Sequence, residues 1–498
     1  MSVEVDFSIE KSKNGEETCS FQGKYLHSKY NPSQEAERFS QALTADFSPL
    51  CVFILEGALS YCAKFLKNRF PSAQICVIRF TRFFEKYDSN WDKVFYLYDG
   101  DIALSERLFN FLGEERLISS LFFDWTPSKQ IFQEENALSW SEIKKALLKA
   151  RDVLGTRSYF SKRWLKNSLI FASRIKNVTL LNKTDKPVII ASSGPSLGPS
   201  LPFLKKNRSS FYLLAVSSAF MPLRHYSLTP DLVLSSDGGF WAKKHLDFPE
   251  SACKTLFALE TESAVPKKSL ETKKIIPLVY EGSLSKELFD SLKIPYMISE
   301  RCGTVAGTAL IFALNLTTNK VFLVGQDLAP SRGFQHTQPN ALENDNARKD
   351  FRLKNTETRL TCSRFNSMAS LKIYRDWFIS NSEYFSKRVF RLSDNFDYEF
   401  SLGKIKDICW EEFSRTKAAS DSSAQAQNEI HCHIEGEKKA RDLLQKKLLE
   451  ISKTQKFIEE VFPMDSILIK RELSSEKKEI LQKKLKEKIS ELITNCKF

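Results

Sequence analysis

The stretch Val188-Ile189-Ile190-Ala191-Ser192-Ser193-Gly194-Pro195-Ser196 decides the fold. An apolar run the length of one strand breaks into small polar residues, glycine and proline, and a helical pattern starts at Leu197. Apolar residues without polar alternation are what a strand covered on both faces requires. The same design recurs downstream, with strand candidates at 211–217, 232–236, 255–259, 275–279 and 320–325 separated mostly by helical patterns. Such alternation predicts parallel strands with helices on both faces and ligands bound beyond the carboxyl ends of the strands. A smaller version precedes it at 50–55, 75–78 and 94–97. The fold class expected is α/β: two Rossmann-like doubly wound parallel-sheet domains, over 1–175 and 176–405, followed by a helical C-terminal region over 406–498.

The strand exits carry the candidate chemistry. At the first, Gly194 permits close backbone approach, Pro195 stiffens the turn, Ser193 and Ser196 offer hydroxyls, and the helix start adds free N–H groups, the ingredients of a phosphate site. An ordinary strand-to-helix turn is the alternative, since neither a Walker lysine motif nor GxGxxG is present. The second exit leaves Ser217 and Ser218, which could read a ribose or base. The third ends Ser235-Ser236-Asp237-Gly238-Gly239, where Asp237 is either a ligand-binding carboxylate or a cap. The fourth carries Gln326 and Asp327, and just upstream Thr304 opens a small-residue helix whose start could hold an anion. A polar segment from 331 to about 364 follows, long enough for a lid, and its His336 is the histidine nearest a strand exit and hence the candidate general base.

Elsewhere the chemistry is sparse. The first domain's turn has the lone Gly57, too few glycines for a dinucleotide or methyl-donor site, so a scaffold or client-recognition role is expected there. His431-Cys432-His433 resembles a metal cluster, but neighbours on a helix diverge by about 100°, so a solvated helix is expected. The stripes Leu444, Leu448, Ile451, Ile458 and Leu481, Leu485, Ile489, Leu492 predict packed helices punctuated by Pro463, and 418–426 reads as a linker.

With 498 residues, 42% hydrophobic and 27% charged, the chain is neither a single small module nor disordered. Basic residues exceed acidic ones 74 to 61, a balance that suits nucleotide phosphates, an acidic protein surface or nucleic acid. An acidic start and the lack of any long apolar window predict a cytoplasmic protein without membrane insertion, and the ten scattered cysteines are expected as reduced thiols.

Taken in order, Gly194-Pro195-Ser196-Leu197, Pro230-Asp231 with Ser235-Ser236-Asp237, Gly303-Thr304-Val305-Ala306 and Gly325-Gln326-Asp327-Leu328-Ala329 with His336 resemble the motility accessory factor family. Leu26-His27-Ser28-Lys29-Tyr30-Asn31-Pro32 with Glu35-Ala36 looks like that family's N-terminal signature. The resemblance implies a glycosyltransferase that moves a nonulosonic, sialic-acid-like sugar from its CMP-activated donor to Ser/Thr of flagellin, with no nucleic-acid partner. The central domain is similar to bacterial sialyltransferases, whose Gly-Pro-Ser turn contacts the nucleotide; that role falls on Gly194, Pro195 and Ser196. Ser193, Ser217, Thr304 and Gln326 are expected beside the donor, and Asp237, Asp327 and His336 on the catalytic side, with no dedicated metal site. The wider superfamily also contains a pterin diphosphokinase, so a competing reading is pyrophosphoryl transfer with Mg²⁺ on Asp237 and Asp327. A third is a non-enzymatic flagellin-binding factor. The sequence departs from the family in its Ser192-Ser193 step, in the turn around Gly57, and at 393–396 and 401–405, which keep only part of an Asn/Gly-rich segment.

Overall fold

The computed structural model describes residues 6–100, 102–247, 255–361, 369–392, 396–417, 430–433 and 437–496. The expected linker at 418–426 and the segment 393–395 lie outside the described residues. The chain divides into two compact units, Met1–Ser161 with Ile458–Thr494, and Lys162–Phe457 with Asn495–Phe498. The stretch after 406, expected as a region of its own, is thus shared between them.

The first unit holds an antiparallel meander of β1 (Phe7–Lys11), β2 (Glu17–Phe21) and β3 (Lys24–Tyr25), and a parallel sheet of β4 (Cys51–Leu55), β5 (Gln74–Arg79), β6 (Lys93–Tyr96) and β7 (Ser120–Asp124) in the order β6-β5-β4-β7. Successive residues of β4 enter different cores: Cys51, Phe53 and Leu55 pack with Leu108, Leu112 and Ile143, whereas Val52 and Ile54 pack with Ala63, Leu66 and Trp125. Both faces are covered, which is why the strand is apolar throughout.

The strand exit of this sheet is closed by its own side chains. Glu56, Ala58 and Ser60 adopt left-handed backbone with φ of 47°, 43° and 68°. Such conformations persist in non-glycine residues only where surroundings enforce them. Here Arg79, fully buried, donates from Nη1 to Glu56 Oε1 at 2.9 Å and to the Ala58 carbonyl at 2.8 Å, and from Nη2 to Ser60 Oγ at 2.8 Å. Gly57 does not supply the left-handed turn; a Cβ there would come 2.8 Å from the Trp91 ring. The N-terminal signature buttresses the same turn, with His27 Nε2 accepting from the Leu59 amide at 3.1 Å and Asn31 capping helix Pro32–Ala42 through the Gln34 amide at 2.9 Å.

The second unit is built on β8 (Asn177–Leu180), β9 (Val188–Ala191), β10 (Tyr212–Val216), β11 (Leu232–Ser235), β12 (Leu256–Glu260), β13 (Ile275–Tyr280), β14 (Met297–Ser299), β15 (Val321–Val324), β16 (Val389–Leu392), β17 (Lys406–Ile408) and β18 (Ile430–His433). Their order is β17-β16-β15-β9-β10-β11-β12-β13-β8-β18, and β14 also pairs with β13. All these pairings are parallel except that of β18 with β8. From β9 the chain builds outward through β10 to β13, then returns to add β15 on the opposite edge of β9. The strand order reverses between β9 and β15, and in open α/β sheets that reversal opens a crevice at the carboxyl ends.

His431-Cys432-His433 lies on β18, correcting the helix expected there. The free edge of β8 offers unpaired backbone groups that a short extended segment satisfies. In this unit helix Glu437–Ile451 buries Leu444, Leu448 and Ile451 and packs against helix Leu284–Leu292. Of the second stripe, only Leu485 is fully buried. Among the described residues no helix is long and apolar enough to cross a membrane.

Candidate active site

At the switch point two loops lock together. The Ser192 amide donates to the Val324 carbonyl and the Gly194 amide to the Gly325 carbonyl, both at 2.8 Å, carrying the β9–β15 pairing past the strand ends. Gly325 sits at φ 70°, and a Cβ there would collide with the Ser192 carbonyl. A Cβ on Gly194 would run into the Asp327 carboxylate and come within 2.5 Å of the Gly325 carbonyl oxygen. Gly194 is therefore required by loop packing, a reason distinct from the close ligand approach expected of it.

Ser196 and Asp327 fasten the same junction. The Ser196 amide lies 3.2 and 3.3 Å from the two carboxylate oxygens, and its Oγ donates to Oδ2 at 2.9 Å. Asp327 is 3% exposed; burial pushes its pKa up to about 6, partly offset by the Ser196 bonds. Below it Arg391, fully buried, donates from Nε and Nη2 to Asp407 at 2.6 and 2.8 Å and from Nη1 to the Gln326 carbonyl at 3.2 Å, and it stacks on the Tyr398 ring. The Tyr398 hydroxyl is 3.3 Å from Ser196 Oγ.

Above this support runs a chain of exchangeable groups. Ser218 Oγ donates to Ser193 Oγ at 2.7 Å, and Ser193 Oγ is 2.9 Å from His336 Nδ1. The segment bearing His336 is anchored by its neighbour, with the Thr337 amide donating to the Ser193 carbonyl at 2.7 Å and Thr337 Oγ1 to the Gly194 carbonyl at 2.5 Å. Burial lowers the His336 pKa, so the ring is neutral at pH 7. If Nδ1–H donates to Ser193, Nε2 keeps a free lone pair and can act as a base; if Ser193 donates to Nδ1, Nε2 carries the hydrogen and can only donate.

The structure thus brings together Ser193, Gly194, Ser196, Asp327 and His336, with Pro195 between the two serines. Gln326 is buried beside Asp327, its Oε1 without a partner among the described residues. Ser217 is buried at the start of its turn, and Ser218 is the residue that reaches Ser193. Asp237 is exposed and accepts from the Gly239 amide at 2.7 Å, while Thr304 opens helix Val305–Leu316 without a side-chain cap bond; neither joins the Ser193 network. Among the described residues no three His, Cys, Asp or Glu side chains converge as a metal site.

Sequence reasoning missed His245, Asn340, Arg391 and Tyr398, and a polar group at the exits of β12 to β14. There Glu260, 1% exposed, accepts from Tyr280 and from Ser299 Oγ at 3.1 Å, and burial pushes its pKa up to about 8. Arg301 pairs with both Glu262 oxygens at 3.0 and 2.8 Å and lies over the Tyr280 and Trp164 rings. A glutamate ending the apolar run of β12 was the available signal.

Residues 162–333 match the family described as 6-hydroxymethylpterin diphosphokinase MptE-like. An uncharacterised protein of Treponema pallidum (strain Nichols) is 30% identical over 314 residues, covering 63% of this chain and 68% of that one. The solved structure of the MAf glycosyltransferase from Magnetospirillum magneticum AMB-1 superposes with a TM-score of 0.54 at 12% identity, over 99% of this chain and 92% of the other, which shows a shared fold.

Proposed function

Because this chain belongs to the motility accessory factor family, we propose that it is a glycosyltransferase that transfers a nonulosonic acid from its CMP-activated donor to Ser/Thr hydroxyls of flagellin in the cytoplasm. The observation that carries the reading is the Ser218–Ser193–His336 chain at the β9–β15 switch point. A CMP-activated sugar already has a good leaving group, so the protein has to orient the acceptor, take its proton and stabilise the departing phosphate. In this mechanism the acceptor oxygen forms a bond to the anomeric carbon as the bond from that carbon to phosphate oxygen breaks. The hydroxyl proton goes to Nε2 of neutral His336, whose Nδ1–H is held by Ser193. The hydroxyls and the start of helix Leu197–Lys206 support the charge on the phosphate. Asp327 acts as a positioning residue, since its carboxylate is committed to Ser196.

Pyrophosphoryl transfer would draw on Asp237 and Asp327 as Mg²⁺ ligands, but Asp237 caps Gly239 and Asp327 binds Ser196. The deciding experiment incubates the purified chain with a CMP-nonulosonic acid and unmodified flagellin and reads intact mass. Flagellin should gain whole sugar units with release of CMP. Unchanged flagellin mass over many turnovers' time, with the donor demonstrably bound, would overturn the reading.

A further inference from the structure

Two buried side-chain nitrogens on elements near His336 have no hydrogen-bond partner among the described residues. Asn340 is fully buried; its Oδ1 accepts from the Leu342 amide at 3.0 Å, which fixes the orientation of the side-chain amide and leaves Nδ2 without a partner among the described residues. His245, 8% exposed, ends the 3-10 turn Phe240–His245, and its Nδ1 likewise lacks a partner. The two are well separated in the sequence and sit on elements that pack together. The turn carrying His245 packs against helix Ala341–Ala347, which follows Asn340 directly, and against the turn Ser217–Ala219, which carries Ser218. His336 is near enough that its charge, when protonated, adds to burial in lowering the His245 pKa.

A polar group left buried and unsatisfied is costly, so two of them on elements that pack together mark a place completed by a ligand. The chemistry of that ligand can be read from the donors. An amide Nδ2 can only donate, so its complement is an acceptor. Burial pushes the His245 pKa down to about 4, leaving a neutral ring with one N–H, and an acceptor opposite Nδ1 selects the tautomer that donates from it. We infer that His245 and Asn340 complete an oxyanion subsite, donating from Nδ1 and Nδ2 to phosphate oxygens of the nucleotide donor. This rests on the donor class proposed above. Phosphate oxygens are acceptors only, and the turn packed against that of His245 carries Ser218, whose hydroxyl donates to Ser193.

Calorimetry with CMP and cytidine on the full chain tests it. His245→Leu removes the donor, His245→Asn keeps an N–H near the position of Nδ1, and Asn340→Asp keeps the oxygen that accepts from Leu342 while replacing the donor. His245→Leu and Asn340→Asp should weaken CMP binding by about 10- to 100-fold, the scale of a hydrogen bond to a charged group. Cytidine binding should not move, and His245→Asn should bind CMP close to the wild-type value. Wild-type CMP affinity in a folded His245→Leu protein would overturn the subsite and leave the donor reading standing. If the wild type binds inorganic phosphate but no cytidine nucleotide, and His245→Leu loses the phosphate, the subsite stands and the donor reading fails. Absence of binding by the wild type to CMP and to phosphate would overturn both.

Discussion

Ser196 and Asp327 join the exits of two strands that are neighbours in the sheet and 131 residues apart in the chain, through one carboxylate that accepts from both the amide and the hydroxyl. The bond is made by a buried acid whose pKa is raised from 3.8 to about 6. Between those values the folded chain holds a proton that the unfolded chain has lost, so stability falls as pH rises through the window and then levels. The full penalty is about 3 kcal/mol. Asp327→Asn removes the titration while keeping one oxygen for the Ser196 amide, and the Ser196 hydroxyl can turn to accept. The variant should show a flatter melting temperature between pH 4 and 6 and equal or greater stability at pH 7.5. Melting curves across that range check it; a wild-type pH dependence in the variant would assign the titration elsewhere.

Gly194→Ala should destabilise the second unit by about 1–3 kcal/mol, the usual cost of forced overpacking. The added methyl meets a backbone carbonyl and a committed carboxylate, neither of which can swing aside. Denaturant unfolding measures the effect directly. A neutral result would mean that the loops separate easily.

How much of this was legible depended on burial. Strands β9 to β13 and β15 are covered on both faces, so their apolar runs announced them within a residue or two. Strands β14 and β17 span three residues each, and β17 is largely exposed, so neither makes a pattern. Ser193, Ser196, Asp327 and His336 were readable because they lie on or just after strand exits. His245, Asn340 and Arg391 were not, because a 3-10 turn, a long connection and the short strand β16 inside the edge strand β17 carry them inward through tertiary packing alone. Asp237 shows the converse: its position at a strand tip looks functional, yet its carboxylate closes its own turn.

His336→Ala should lower transfer by about 10²- to 10⁴-fold with CMP binding nearly unchanged, the range for loss of a positioned base. Burial holds the imidazole pKa below its ordinary value, so the wild-type rate should persist into acid beyond the usual histidine range before falling. Ser193→Ala should reduce the rate less, because it frees the ring without removing it. Single-turnover rates against pH separate these outcomes, and a normal rate in His336→Ala would eliminate it as the base.

The first unit should bind no dinucleotide or methyl donor, because the position a cofactor phosphate would take is filled from within. Arg79 occupies the β4 exit with Glu56, Ala58 and Ser60, and the Trp91 indole N–H donates to the same Ser60 hydroxyl at 2.8 Å. Both members of the Arg79–Glu56 pair are fully buried, so removing one strands the other's charge at a cost of about 3–5 kcal/mol. Arg79→Met should therefore unfold the first unit at a lower temperature without creating a cofactor site, and the double change Arg79→Met with Glu56→Gln should recover part of the loss. The left-handed backbone of the turn opposes full recovery, since Arg79 also holds the Ala58 carbonyl. Calorimetric melting of the three proteins, with equilibrium dialysis against NAD and S-adenosylmethionine, checks both halves; tight binding of either cofactor that disappears on disrupting this unit would show that the exit opens.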